Sequence, residues 1–287
     1  MLARVRSTGV VPWALAAATA ILPLVAGPPI ADALHDLSVP VRTTASVGLW
    51  CAWGVGLLST VVPHPVALTT TRVLAPAAIA ATTLLRGDGN GWIASAVVAI
   101  VAAALAFAPA IGMRAVNGLA YPNERRFPLR PPGAVLLGPI VVAWALALSG
   151  VAAGPLLLAA RVWVAGAVAT VSGFGLAAIL LRALHGLSRR WLVFVPAGVV
   201  LHDLLALSDP VLFLRPNVSR FGPAPADTDG LDLTERAPGL ALELALREAA
   251  DIGLARNRRV KADAVLFTPT RPGAVLDEAQ RRRLPVR

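Results

Sequence analysis

Every carboxylate in the first 181 residues of this chain lies between its long apolar segments, and none lies inside one. The four are Asp32, Asp36, Asp88 and Glu124. Around them run apolar stretches close to the roughly 20 residues a helix needs to cross a hydrocarbon layer about 30 Å thick. No water is present in that layer to bond the backbone, so such segments must satisfy their own peptide groups as helices. The pattern therefore predicts an integral membrane, all-α helical bundle. It also argues against proton- or cation-coupled transport, which keeps an acid at membrane depth.

Composition sharpens this into a two-part chain. Charged residues make up 15% of the sequence, against about 25% in soluble proteins, and they are unevenly placed. Residues 182–287 carry 16 of the 26 basic and 12 of the 16 acidic residues. The expected division is a transmembrane bundle over 1–181 and a cytosolic β-rich domain over 182–287. Lys261 is the only lysine. Arginine in an Ala-, Gly- and Pro-rich background points to the codon bias of a high-GC bacterium. No basic groove interleaved with stacking aromatics is present, so nucleic acid is not an expected partner. Cys51 is the only cysteine, which rules out an intrachain disulfide, and it reads as a small buried hydrophobe.

Six apolar runs are visible, at about 9–30, 45–62, 66–85, 91–111, 133–151 and 155–181. The first is either a signal peptide, since Ala31-Asp32-Ala33 suits cleavage, or a retained anchor helix. Its core of about 20 residues exceeds the usual 7–15 of a signal and favours the anchor. Pro63-His64-Pro65 and Gly87-Asp88-Gly89-Asn90-Gly91 mark turns. With the amino terminus inside, cytoplasmic segments would hold Arg4, Arg6, Arg72, Arg114, Arg125, Arg126, Arg130, Arg182, Arg189 and Arg190. External ones would hold Arg42, Arg86 and Arg161. That bias predicts a multi-pass protein of the bacterial inner membrane with both termini cytoplasmic.

After Arg190 the periodicity changes. Residues 191–195, 196–198 and 199–202 read as strand, turn, strand, and Val211-Leu212-Phe213-Leu214 as a further strand. Leucines alternate over 240–246, which argues for a strand, although the same residues are good helix formers. Val265-Leu266-Phe267 extends the β pattern, and Pro272 opens a terminal helix. This order, carried by Arg190-Trp191-Leu192-Val193-Phe194-Val195-Pro196-Ala197-Gly198-Val199-Val200-Leu201 and by Leu266-Phe267 with Arg271-Pro272-Gly273, resembles the bacterial pleckstrin-homology-like domains of small membrane proteins. The resemblance covers about the last hundred residues and implies a binding role; it transfers no ligand residue.

Candidate chemistry is sparse. His64 between prolines reads as a turn residue. Arg72 and Arg161 lie close enough to helix ends to snorkel, with anion binding as the sharper alternative. Trp13, Trp50, Trp53, Trp92 and Trp144 fit an interfacial belt. His202-Asp203 with Asp209 suggests a metal or acid–base site, but a strand ending in a turn explains it better. No HExxH, Walker A or GxGxxG motif occurs, so no cofactor and no enzymatic activity are expected. The loop from 114 to 132 holds the only tyrosine, Tyr121, with Glu124, Arg125, Arg126 and Arg130 among prolines. It reads as a headgroup-facing loop or as a rigid segment contacting the carboxyl-terminal domain. Two basic clusters, Arg256/Arg258/Arg259/Lys261 and Arg281/Arg282/Arg283, are candidates for binding anionic lipid or a protein partner. The expected role is anchoring, adaptor or regulatory, with a transporter or channel subunit as the alternative.

Overall fold

The computed structural model describes residues 9–87, 90–136, 138–255 and 258–287; Arg4, Arg6, Asp88 and Arg256 lie outside them. Two compact units form, Met1–Ala115 with Val142–Leu184, and Val116–Val141 with His185–Arg287. The boundary read at 181/182 falls three residues from the last of the three junctions, Leu184/His185. The linear division does not hold, because the segment between the two halves of the bundle belongs with the carboxyl-terminal unit.

The first unit is helical: α1 Val10–Leu34, α2 Val39–Val61, α3 Pro65–Leu84, α4 Gly91–Ala106 and α5 Pro109–Asn117. After a strand, β1 Arg125–Pro128, and a short helix, α6 Gly133–Leu136, come α7 Pro139–Ala159 and α8 Trp163–Leu187. Five helices are long and apolar enough to cross a membrane, or six if α4 and α5, bent by 53° at their junction, count as one span. The chain is on this basis a multi-pass membrane protein. Many of its large apolar side chains, such as Leu24, Val47, Leu58 and Val171, are exposed, as expected where lipid is the solvent.

Two helix boundaries differ from the sequence reading. The proline at 155 lies inside α7 rather than opening α8. The break comes later, where Arg161 takes φ 65°. Its N–H bonds the Leu158 carbonyl at 3.0 Å, and the Val162 N–H bonds the Leu157 carbonyl at 3.0 Å, the paired bonds of a left-handed helix stop. Cys51 is also misread: it is exposed on the outer surface of α2.

Prolines organise the bundle through the bonds they omit. Pro23 in α1 has no N–H for the Thr19 carbonyl, and the Trp53 indole N–H of α2 supplies one at 2.8 Å. Pro29 likewise frees the Val25 carbonyl, which accepts from the Ser95 hydroxyl of α4 at 2.7 Å. Trp144 of α7 donates to the Val73 carbonyl of α3 at 2.8 Å. Trp53 and Trp144 thus cross-link helices, beyond the belt role their sequence suggested. Arg114 donates to the Thr60 and Val61 carbonyls at 2.8 Å each, capping the negative end of α2. Between α7 and α8, a Cβ on Gly150 would stand 2.8 Å from the Gly173 carbonyl oxygen, so the two backbones touch as only small residues allow.

The second unit is built on two four-stranded sheets. One has the order β1-β2-β3-β4, with β2 Trp191–Val195, β3 Gly198–His202 and β4 Val211–Leu214, all antiparallel. The other has the order β5-β7-β8-β6, with β5 Val218–Pro223, β6 Leu231–Asp232, β7 Leu242–Leu254 and β8 Arg258–Phe267. Its long strands pair antiparallel, and β6 pairs parallel with β8. The ambiguous 240–246 stretch is therefore strand from Leu242. Four phenylalanines, Phe127, Phe194, Phe221 and Phe267, follow one another at centroid spacings of 5.6, 6.1 and 6.0 Å and join the sheets in one core. Helix α9, Pro272–Arg281, buries Val275 and Ala279.

Trp53→Phe is expected to destabilise the bundle by about 0.6–1.7 kcal/mol, the range for hydrogen bonds between membrane helices. In a Pro23→Ala background the loss should shrink, because residue 23 then bonds Thr19 itself. Thermal unfolding of the four proteins in detergent checks this.

Candidate functional site

The 116–132 segment is gripped at several points. Asn117 holds Arg126 by two bonds, side-chain amide to the Arg126 carbonyl at 2.8 Å and the Arg126 N–H to the Asn117 side-chain oxygen at 2.9 Å. This sets β1 in register with β2, Phe127 opposite Leu192, and leaves Phe127 only 2% exposed. Leu129, Arg130 and Thr270 then bond across to Arg190, Thr268 and Pro128. The candidate loop residues divide accordingly. Glu124 and Arg126 form an ion pair at 3.0 Å, with the Arg126 guanidinium 5.9 Å from the Trp191 ring. Arg130 lies over Gly239, whose φ of 118° favours glycine and where a Cβ would stand 3.0 Å from the Arg130 Nε. Tyr121 and Arg125 are exposed.

At the centre is a pair that sequence reasoning assigned otherwise. Arg190, counted there as a loop cation, is 2% exposed, and Asp203 is 1% exposed. The guanidinium donates to both Asp203 oxygens, at 2.7 and 2.6 Å, and to the Arg130 carbonyl at 2.8 Å. The Leu205 N–H also donates to Asp203. With its oxygens so occupied, Asp203 is a structural anion rather than a metal ligand or a base. No group of three His, Cys, Asp or Glu side chains suited to a metal occurs among the described residues. His202 stacks on Trp191 at 4.8 Å and donates from Nδ1 to the Arg189 carbonyl. Burial away from water pushes its pKa below the ordinary histidine value.

The two basic clusters are unequal. Arg282 is turned inward: it pairs with Glu278 at 2.7 Å, donates to the Asn123 carbonyl and lies 5.9 Å from the Phe194 ring. Arg281 shares Glu278 at 2.8 Å, and Arg283 is exposed. On β8, Arg258, Arg259 and Lys261 are all exposed, with Arg259 paired to Asp251 at 2.6 Å. The β7–β8 hairpin is thus the stronger candidate surface. Backbone bonds from Ser208 to Gly253 and from Ala255 to Ala206 fix its outer part against the loop after β3.

The bundle offers a different kind of site. A cavity of about 410 Å³ opens between α1, α2 and α3, lined by apolar groups and by the hydroxyls of Thr19, Ser46, Thr60, Thr71 and Thr82. Arg72, the cation on α3, places its guanidinium 5.7 Å from the Phe107 ring at the α4–α5 break and does not line this cavity. No protein-family model, no curated protein and no solved structure matches the chain.

Arg190→Met strands a buried carboxylate and is expected to cost the second unit about 3–5 kcal/mol, whereas Arg190→Met with Asp203→Leu should cost less than either single change implies. Hydrogen exchange of the β2 amides in the full chain reads the difference. For His202 the folded pKa is the lower one, so protonation favours the unfolded state. Stability of this unit should fall as pH drops below the ordinary histidine pKa near 6.5 and level off below the folded value. The difference between wild type and His202→Gln isolates that component.

Proposed function

We propose that this chain is a non-enzymatic membrane protein of anchoring, adaptor or regulatory kind, whose second unit binds an acidic protein partner or anionic lipid. One observation carries the reading. A strand from between two membrane-spanning segments, β1, completes the sheet of the carboxyl-terminal unit. The ladder lies within the unit, and three chain passages, at 115/116, 141/142 and 184/185, connect that unit to the helical one in place of a single linker. A domain threaded between the membrane-spanning segments in this way suits an anchoring, adaptor or regulatory role better than an independent one.

Two antiparallel meanders, β1 to β4 and β5 with β7 and β8, closed by α9, favour a pleckstrin-homology-like domain; the parallel pairing of β6 departs from that likeness. The binding surface of this reading is the Arg259, Lys261 face of the hairpin, with Arg258 at the start of β8 and Arg283 secondary. Near an anionic leaflet each such residue is worth about 1 kcal/mol. The location is the bacterial inner membrane with both termini cytoplasmic. The arginine bias supports it, and so does parity, since two crossings, α7 and α8, separate β1 from β2 within one sheet.

The test is affinity capture from native membranes with the full chain and with a variant carrying Arg258→Gln, Arg259→Gln and Lys261→Gln. A protein that copurifies with the first and not the second is the expected result. If lipid is the ligand, hairpin amides in nanodiscs should gain exchange protection with anionic lipid and lose it in high salt. Failure of both overturns the proposal, and solute flux in proteoliposomes would replace it with transport. A fragment starting at His185 is unsuitable, because it lacks β1 and leaves the Phe127 site empty.

A further inference from the structure

We propose that the cavity between α1, α2 and α3 holds one acyl chain of a membrane glycerophospholipid, with the lipid's phosphate at Arg42. The walls belong to helices long and apolar enough to span a bilayer, so the medium around the opening is hydrocarbon. No charged side chain lines it. Its hydroxyls are mostly spent: Thr19, Thr60 and Thr82 donate to carbonyls of their own helices, and Thr71 pairs with Ser59. What remains is a carbon-faced surface, which stays dry. A carbon-faced surface enclosing about 410 Å³ matches a lipid tail, the apolar chain that the surrounding layer supplies.

Shape and polarity give the tail a direction. Among the α2 lining residues, which also include Trp50 and Ala52, Ser46, Leu49, Trp53, Gly56 and Thr60 recur at three- and four-residue steps along the helix. From the first to the last is about 21 Å at 1.5 Å per residue, most of one bilayer's hydrocarbon depth. Such a trough admits a polymethylene chain lengthwise and gives a compact polar solute nothing to bond. Arg42 stands four residues before Ser46 on the same stripe. Its guanidinium makes one long bond, to the His35 carbonyl at 3.4 Å, which leaves donors for a phosphate. The Ser46 hydroxyl, which bonds no protein group among the described residues, lies between that head and the apolar trough. The site does not depend on what the second unit binds.

The test uses the full chain in vesicles of phosphatidylcholine and phosphatidylglycerol, the latter carrying a diazirine on one acyl chain. After photolysis, labels should concentrate on Ala52, Gly56 and Ala78 of the cavity wall, above Val47, Cys51 and Leu58 on the outward side of α2. Ala78→Phe and Ala52→Phe, which fill the trough from opposite walls, should each lower wall labelling about tenfold, a difference of 1.4 kcal/mol, and leave outward labelling unchanged. Arg42→Gln should weaken wall labelling and abolish any preference for the phosphate-bearing lipid over a diazirine fatty alcohol. Either filling variant suffices if it elutes as wild type does. Equal labelling of the two sides in wild type overturns the site. Wall labelling that survives a folded filling variant also overturns it, as would crosslinks showing a second copy of the chain in the trough.

Discussion

The buried pair of Arg190 and Asp203 is the constraint on which the second unit depends. Withdrawing two charges from water costs several kcal/mol for each ion, and the cost is tolerable only if nearly every donor and acceptor is used. Here the guanidinium bridges the start of β2, the residue that follows β3, and the carbonyl of Arg130 from the segment between the membrane helices. All three must arrive together. An arrangement lacking Arg190 or Asp203 strands an ion in the core, and one lacking Arg130 leaves a guanidinium N–H unbonded, so the group penalises alternative pairings.

The helices obey the same accounting of polar groups with neutral ones. Pro23 and Pro29 in α1 each open a carbonyl at depth, and an indole and a hydroxyl from neighbouring helices close these two. In a layer without water an open carbonyl has no other recourse. These bonds therefore specify which helix lies beside which, a task apolar packing performs poorly when lipid and side chain are chemically alike. Close glycine contact serves α7 and α8 instead.

The sequence disclosed what length and periodicity can carry. Apolar runs of about 20 residues located the spans, and Pro196-Ala197-Gly198 located the turn between β2 and β3. It was ambiguous at 242–246, where alternating leucines are also helix formers; β5 and β8 on either side decide for a strand. It was silent on β1. Arg125-Arg126-Phe127-Pro128 has the composition of a loop, and only a partner some 65 residues later makes it a strand. Nothing local separates a buried arginine from a solvated one, so Arg190 passed for a topology charge. Arg282 was closer to legible, since Glu278 four residues before it is a helix-face partner. The trough in the bundle had no linear signature, because it is assembled from residues small or apolar enough to pass as ordinary packing.

The position of β1 also orders biogenesis. Phe127 leaves the ribosome roughly 65 residues before Leu192, the residue it pairs with, a delay of about 3–13 s at 5–20 residues per second. During that interval α7 and α8 must emerge and enter the bilayer, and the strand has neither its ladder nor its core neighbours. The sheet can close only after the hairpin has crossed and returned. Completion of the sheet therefore requires that α7 and α8 have inserted as a pair, and a chain in which only one of them crossed would leave β1 without its ladder and the Arg190 guanidinium without the Arg130 carbonyl.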